Sequence, residues 1–352
     1  MTERIPTAGG LHEERDNIAL SGSGTTAGQM PPGMGAAVVP GGGATDDLTL
    51  AYESGVETKA RSQWAYARMR FFRHRLAVLS MLVLLALAVV AVFPAFFAPY
   101  GSNDQDLLNI AAKPTWDHPF GTDLLGRDYL SRVIFGLQVS LAVATLVAVL
   151  ATIIGTAIGA LAGYYGGIID NLLMRFTDLI LTLPTLAVLL TAAAFVGQES
   201  RSIGPLTISQ PVMIGLILAF LFWTGLARIV RGVFLSLREK EFVEAARASG
   251  ASDRRIILRH ILPNCVGPIV VTMTLIIATA ILVEAALSFL GFGIQPPTPA
   301  LGSLINEGNV GGFGSWWLVT FPGLVIVLIA LAVNFIGDGL RDALDPTQRI
   351  RA

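Results

Sequence analysis

Charge is what this 352-residue sequence has least of: Asp, Glu, Lys and Arg together make up 14% of it, against about a quarter in soluble domains. With 53% hydrophobic residues, that scarcity excludes a water-soluble globular chain and predicts an all-α polytopic membrane protein. Cysteine is nearly absent too. The one thiol, Cys265, rules out an intrachain disulfide and a cysteine-based metal cluster, and at the edge of an apolar run it reads as a small apolar filler. Lysine occurs only at 59, 113 and 240, after Thr, Ala and Glu. The phosphate cradle GxxxxGK[ST] needs glycine before its lysine, so this polypeptide does not hydrolyse nucleotide itself. None of the four histidines lies near a strained nucleophile motif, which leaves no candidate catalytic triad. No secretory leader is expected, since the first residues show no charged n-region followed by an apolar h-region and the first apolar run begins only at Leu76.

Residues 1–58 are rich in Gly, Pro, Ser and Thr, with SGSGTTAG, PPGMG and PGGG. Such a stretch buries too little surface to offset its ordering entropy and is expected to be a disordered tail. Residues 59–75 set Arg61, Arg68, Arg70, Arg73 and Arg75 among Trp64, Tyr66, Phe71 and Phe72. Beside an apolar run, that mixture predicts a basic interfacial helix on anionic lipid headgroups rather than a nucleic-acid site. Leu76 to Ala98 is free of charge, long enough to cross a hydrocarbon core of roughly 30 Å. Further runs at about 137–163, 172–197, 211–233, 265–290 and 316–337 bring the expected spans, with 76–98, to six, and the two termini to one side. With the N-terminus inside, 20 Lys/Arg fall in cytoplasmic segments. Four lie outside: Lys113, Arg127, Arg132 and Arg201. The positive-inside rule therefore predicts cytoplasmic termini.

Within the spans, Gly155, Gly159 and Gly163 form a small-residue stripe suited to close helix packing. Arg175 and Asp178 are i,i+3 neighbours able to bridge or snorkel, and Pro184 and Pro322 weaken the backbone ladder of their spans. Trp316 and Trp317 suit an interfacial belt. Glu284, deep in the fifth span, must face protein, a partner or water, as a pathway group or a bundle hydrogen-bonding group. In the loop after the first span, Asp117, His118, Asp123 and Asp128 lack the spacing of a metal site.

The most informative stretch is the loop at 234–264. Arg238 to Ser249 are good helix formers, and Gly250 can take the left-handed conformation that closes a helix. Ser252 offers an N-cap oxygen, Ile257/Ile261 and Leu258/Leu262 repeat at i,i+4, and Pro263 is a stop or entry signal. A helix, a tight glycine turn and a second helix are expected, with Ala245 and Ala246 small enough for a partner to approach.

Glu244-Ala245-Ala246, then Gly250, then Leu262-Pro263 within RHILPN, resembles the cytoplasmic EAA loop of permease subunits from bacterial ATP-binding-cassette importers, in their peptide branch. A second Glu-Ala-Ala at 284–286 lacks the following glycine and Leu-Pro spacing and is no second loop of this kind. The string GTDLLGRD (Gly121 to Asp128) in the external loop 99–136 is similar to the peptide and nickel permeases, in the subunit usually encoded second of the pair. There Gly121 and Gly126 permit turns, while Asp123, Arg127 and Asp128 can pair locally into a folded external cap.

The resemblance covers about 64–350 and implies a six-span type I importer permease, 76–350, in the bacterial plasma (inner) membrane. It implies ATPase-coupling roles for Glu241, Glu244, Ala245, Ala246, Gly250, Arg254, Leu262 and Pro263. It further implies a heterodimer with a sister permease, two ATPase domains that carry ATP and Mg, and an extracytoplasmic substrate-binding protein. This chain itself would bind no cofactor and no nucleic acid. Peptides lead as cargo by the same resemblance, with nickel chelates, haem or sugars open. The alternative is a self-sufficient secondary transporter or channel, for which Glu284 is the one mid-membrane carboxylate.

Overall fold

The computed structural model describes residues 63–196, 201–203, 206–310 and 313–344; the tail expected at 1–58 lies outside them. Apolar composition makes helices where backbone polar groups must be satisfied within the segment. They are α1 Gln63–Arg73, α2 Arg75–Val92, α3 Pro94–Phe97, α4 Tyr129–Tyr165, α5 Gly167–Thr182 and α6 Thr185–Val196. After a small antiparallel pair, β1 Arg201–Ile203 with β2 Leu206–Ile208, come α7 Gln210–Arg238, α8 Glu241–Ala248 and α9 Asp253–Arg255. The chain continues through a π-helical turn Ile256–Ile261 into α10 Leu262–Phe289, then α11 Leu301–Val310 and α12 Trp317–Leu344. The short β pair is an addition to the all-helical plan, placed in the connection between α6 and α7.

Among the described residues, five helices are long and apolar enough to cross a membrane: α2, α4, α7, the continuous Asp253–Phe289 and α12. The stretch expected to be one span at 172–197 is instead α5 and α6, meeting at 84°. Proline explains the break. Pro184 offers no N–H and pushes the residue before it out of the helical region, and Leu183 is extended at φ −71°, ψ 135°. The same chemistry shortens the first span. Phe93, before Pro94, leaves the helix at φ −117°, ψ 53°, so the charge-free run to Ala98 is a helix to Val92 followed by one further turn. Along α2, Leu76, Leu79, Leu82, Leu85, Val89 and Val92 are all exposed, an apolar stripe suited to hydrocarbon.

The centre of the bundle is the parallel pair α4 and α7. A Cβ on Gly155 would lie 2.7 Å from the Trp223 carbonyl oxygen, and one on Gly159 2.5 Å from that of Ala227. At Gly163 it would meet the Phe234 Cβ at 2.6 Å. The stripe thus brings two backbones into contact. Around it Val147, Ala148, Ala151, Leu226, Ala227 and Val230 are buried. Charged residues at the ends of these helices pair between elements. Arg231 Nε donates to Asp170 of α5 at 2.5 Å, and Arg228 Nη2 donates to Asp178 at 2.5 Å. Asp178 is therefore held by α7 and not by its sequence neighbour Arg175.

At the opposite edge, α1 and α2 pack on the end of α12. Phe71, Ala77 and Ala343 form a separate small core, and a Cβ on Gly339 would reach 2.4 Å from that of Ala77. Replacing Gly159 with leucine is expected to destabilise the protein by about 1–3 kcal/mol through overpacking, because backbone atoms of α7 cannot give way as a side chain can. A lowered unfolding midpoint in detergent checks this; an unchanged midpoint for Gly159→Leu would mean the helices separate freely.

Candidate functional site: a helical hairpin and a folded cap at opposite ends of α4

The 37-residue α4 is about 55 Å long at 1.5 Å per residue, and polar structures gather at both of its ends. The hairpin end is α8, a turn, and the rod that begins at Asp253. Glu241 and Glu244 sit in the first turn of α8, where acids complement the helix dipole. Val243 is fully buried, and Ala246 packs half-buried against the bundle. Glu241, Phe242, Glu244, Ala245 and Gly250 face outward.

Gly250 ends the helix at φ 77°. The Ala251 N–H bonds to the Ala246 carbonyl and the Gly250 N–H to that of Arg247, the paired closure that left-handed glycine permits. Ser252 has the extended N-cap backbone, yet its side chain makes no capping bond; only its carbonyl is used, by the Ile256 N–H.

The returning helix does not stop at Pro263. Proline cannot donate to the carbonyl one turn earlier, and the chain accommodates this with the π-helical turn just before it, where the Leu262 N–H bonds to the Ile257 carbonyl. Leu262 is half-buried, Pro263 and Arg254 are exposed, and the hairpin runs without interruption into the fifth apolar helix. One bond fastens it to α4, and beside it a clasp joins the end of α7 to that of α4. The Tyr164 hydroxyl lies 2.6 Å from Asp253 Oδ1, and Arg238 Nη1 donates to the Gly163 and Tyr164 carbonyls at 3.3 Å.

The other end carries the cap. Gly121 and Gly126 have φ 74° and 75°; a Cβ on Gly126 would lie 2.3 Å from the Asp106 carbonyl oxygen, so both the turn and the close approach require glycine. Asp123 accepts from Arg127 Nε at 2.6 Å and from Arg132 Nη1 at 2.8 Å. Both arginines also reach Glu307 on α11, at 2.8 and 2.7 Å. Arg132 is completely buried, and its Nε has no hydrogen-bond partner.

Asp128 does not join this cluster. It caps α4, accepting from the Ser131 N–H at 2.8 Å, and lies 2.9 Å from His118 Nδ1. On the exposed rim, hydrogen bonds from the Asn109 side chain and the Leu108 N–H hold the Asp106 carboxyl below its usual range. Trp317 is buried and donates to the Thr122 carbonyl at 3.3 Å, while Phe120 stacks on Phe321 at 3.9 Å. Only Trp316, exposed, retains the geometry of an interfacial belt. Among the described residues no group of three or more His, Cys, Asp or Glu could hold a metal ion.

Glu284 is fully buried in α10, accepting from Ser140 Oγ at 2.9 Å and Ser288 Oγ at 2.7 Å. It is hydrogen-bonded inside the bundle. Sequence reasoning missed Glu307 as the shared partner of Arg127 and Arg132, and Ser140 as the partner of Glu284, because each pair joins residues far apart in the chain; it also missed Arg132 as a partner of Asp123, nine residues away. The available signal was an arginine and an acid in segments otherwise almost free of charge.

Residues 155–350 match the model of the binding-protein-dependent transport system inner membrane component, and residues 62–114 that of the N-terminal TM domain of oligopeptide transport permease C. Over 296 residues the chain is 40% identical to the oligopeptide transport system permease protein OppC of Haemophilus influenzae, covering 84% of this chain and 92% of that protein. It is 42% identical over 289 residues to the glutathione transport system permease protein GsiD of Escherichia coli O157:H7, covering 82% and 92%. Among solved structures, a chain of the MetNI methionine ABC transporter in inward facing conformations aligns with a TM-score of 0.47 and 21% identity, over 61% of this chain and 97% of that one.

Removing the arginine at the heart of the cap by Arg132→Ala leaves Asp123 and Glu307 with one cation between them. Breaking a buried pair in this way costs about 3–5 kcal/mol. The expected result is a lowered unfolding midpoint and faster proteolysis within 99–128; parental values for both would show that the pairs contribute little.

Proposed function

We propose, for a chain that belongs to the family of binding-protein-dependent transport system inner membrane components and is a C-type permease subunit of an ATP-driven importer, that α8 is the surface through which ATP hydrolysis is coupled to transport. The observation that carries this reading is the one-sided burial of α8. Val243 anchors it while Glu241, Phe242, Glu244 and Ala245 face away from the bundle, the geometry of a helix that lies in a partner's groove.

The partner is a separate ATPase subunit, one of two domains holding ATP and Mg, and this chain binds no cofactor. The excess of Lys and Arg on the hairpin side supports a cytoplasmic α8 and cytoplasmic termini under the positive-inside rule. The cap then faces outward, toward an extracytoplasmic substrate-binding protein. A sister permease supplies the other half of the pathway. Oligopeptide and glutathione permeases stand among the relatives, and both names denote cargo with peptide bonds, so short peptides are the cargo we assign.

In this scheme Gly250 fixes the angle between α8 and the rod that follows, and Glu241, Glu244 and Ala245 form the docking face with Arg254 at its edge, while Ala246, half-buried against the bundle, lets α8 seat closely. Leu262 and Pro263 set the join to α10. Closure of the ATPase pair displaces α8 as a rigid body and re-aims the spans.

Gly250→Val puts a branched side chain at positive φ, a strain of roughly 1–2 kcal/mol, and Glu244→Arg reverses charge on the docking face. Both variants are expected to insert at parental levels, yet to take up a radiolabelled tripeptide at under a tenth of the parental rate and to lose ATPase subunits on purification. Parental uptake by both would refute the coupling role.

A further inference from the structure

Glu284 has no part in the docking face, yet it is the only acid in α10, and its surroundings are built with care. Ser140 Oγ donates to its Oε2 and Ser288 Oγ to its Oε1. Each hydroxyl then accepts a backbone N–H, Ser140 from Leu301 at 3.2 Å and Ser288 from Ile294 at 3.0 Å. A serine has one proton to give. With both protons given to the Glu284 side-chain oxygens, the two hydroxyls serve as acceptors for the backbone. One side chain thereby organises two hydrogen-bond chains that reach α4, the first turn of α11, and the connection after α10.

The packing there leaves no slack. A Cβ on Gly302 of α11 would lie 2.3 Å from the Ala285 carbonyl oxygen, and one on Gly293 2.2 Å from Ser288 Oγ. The far end of α11 is held as well, through Glu307 to Arg127 and Arg132 of the cap. By contrast, the covalent connection from α10 to α11 is the run 290–300, which by itself does not determine where α11 sits. The rod that carries Glu284 begins at Asp253, immediately beyond the hairpin.

We propose that Glu284 is a positioning residue that locks the cap end of α10 to α4 and α11, so that a displacement applied at the hairpin moves these helices and the cap as one body. The proposal rests on the coupling role of α8 given above. A buried carboxylate in an apolar span is tolerated when its partners are fixed, and a network satisfied at every member holds one arrangement where an apolar contact would allow sliding.

The test uses the complete importer reconstituted with its sister permease, ATPases and binding protein. Spin labels at Leu282→Cys on α10 and Val310→Cys on α11, both exposed positions, report the separation of the two helices. In the parent that separation is expected to be the same with and without ATP and Mg. In Glu284→Ala it becomes nucleotide-dependent, while basal ATP hydrolysis stays within twofold because the docking face is untouched. Glu284→Gln, which keeps one acceptor, restores part of the constraint; a merely space-filling role would be restored equally by Glu284→Met.

Ser140→Ala, a smaller change that removes the two bonds by which α4 holds α10 and α11, reproduces the effect if Glu284→Ala fails to assemble. A nucleotide-independent separation in both Glu284→Ala and Ser140→Ala overturns the lock and leaves the coupling role of α8 standing. A label at Leu258→Cys in the hairpin that shows no nucleotide-dependent distance to a label on the sister permease in the parent overturns the coupling role instead.

Discussion

The contact on which the rest of this molecule depends is the glycine seam between α4 and α7. Lipid supplies no hydrophobic drive for helices to associate, so their affinity comes from close approach of backbones. Gly155, Gly159 and Gly163 permit it, setting α4 against the carbonyl oxygens of Trp223, Ala227 and Arg231. That approach keeps the two helices parallel and in register over about two turns. The folded cap and the hairpin are then attached to opposite ends of this pair.

At one end Asp128 caps α4 and Arg132, two turns before Ser140, gathers Asp123 and Glu307. At the other, Tyr164 holds Asp253 and Arg238 closes the last carbonyls of α4. The cap and the hairpin share a frame without touching, separated by the length of an apolar helix. The frame is rigid where ion pairs and hydrogen bonds are satisfied, and smooth where apolar faces such as that of α2 meet hydrocarbon. For a permease subunit this division is apt. Under the coupling role proposed for α8, a push received at one polar surface would reach the other through a packed interior.

Local chemistry was legible in the sequence wherever one residue type decides a conformation. Gly250 closes α8 at positive φ, and Gly121 and Gly126 turn the cap. The glycine stripe announced close packing from its spacing alone. Proline was legible only in part. Pro184 was a visible weakness, but the 84° turn between α5 and α6 depends on what each half packs against, which no local pattern records. Pro263 read equally well as a stop or an entry. Its resolution as an entry depends on a π-helical turn that has no composition of its own. Partners across the chain were the least legible. Nothing near Asp178 favours Arg228 over Arg175, and nothing near Arg127 or Arg132 points to an acid on α11. Trp316 and Trp317 are adjacent and identical, yet one is buried against the cap and the other is exposed, a difference set by the direction each side chain leaves the first turn of its helix.

The π-helical turn at Ile256–Ile261 has a geometric consequence. Such a turn accommodates one residue more than α-helical winding would, and in an α-helix one residue corresponds to about 100° of rotation. The compass bearing of α8 around the long rod is therefore set by a single supernumerary residue beside Pro263, and the direction in which its exposed face looks is a matter of counting as much as of contact.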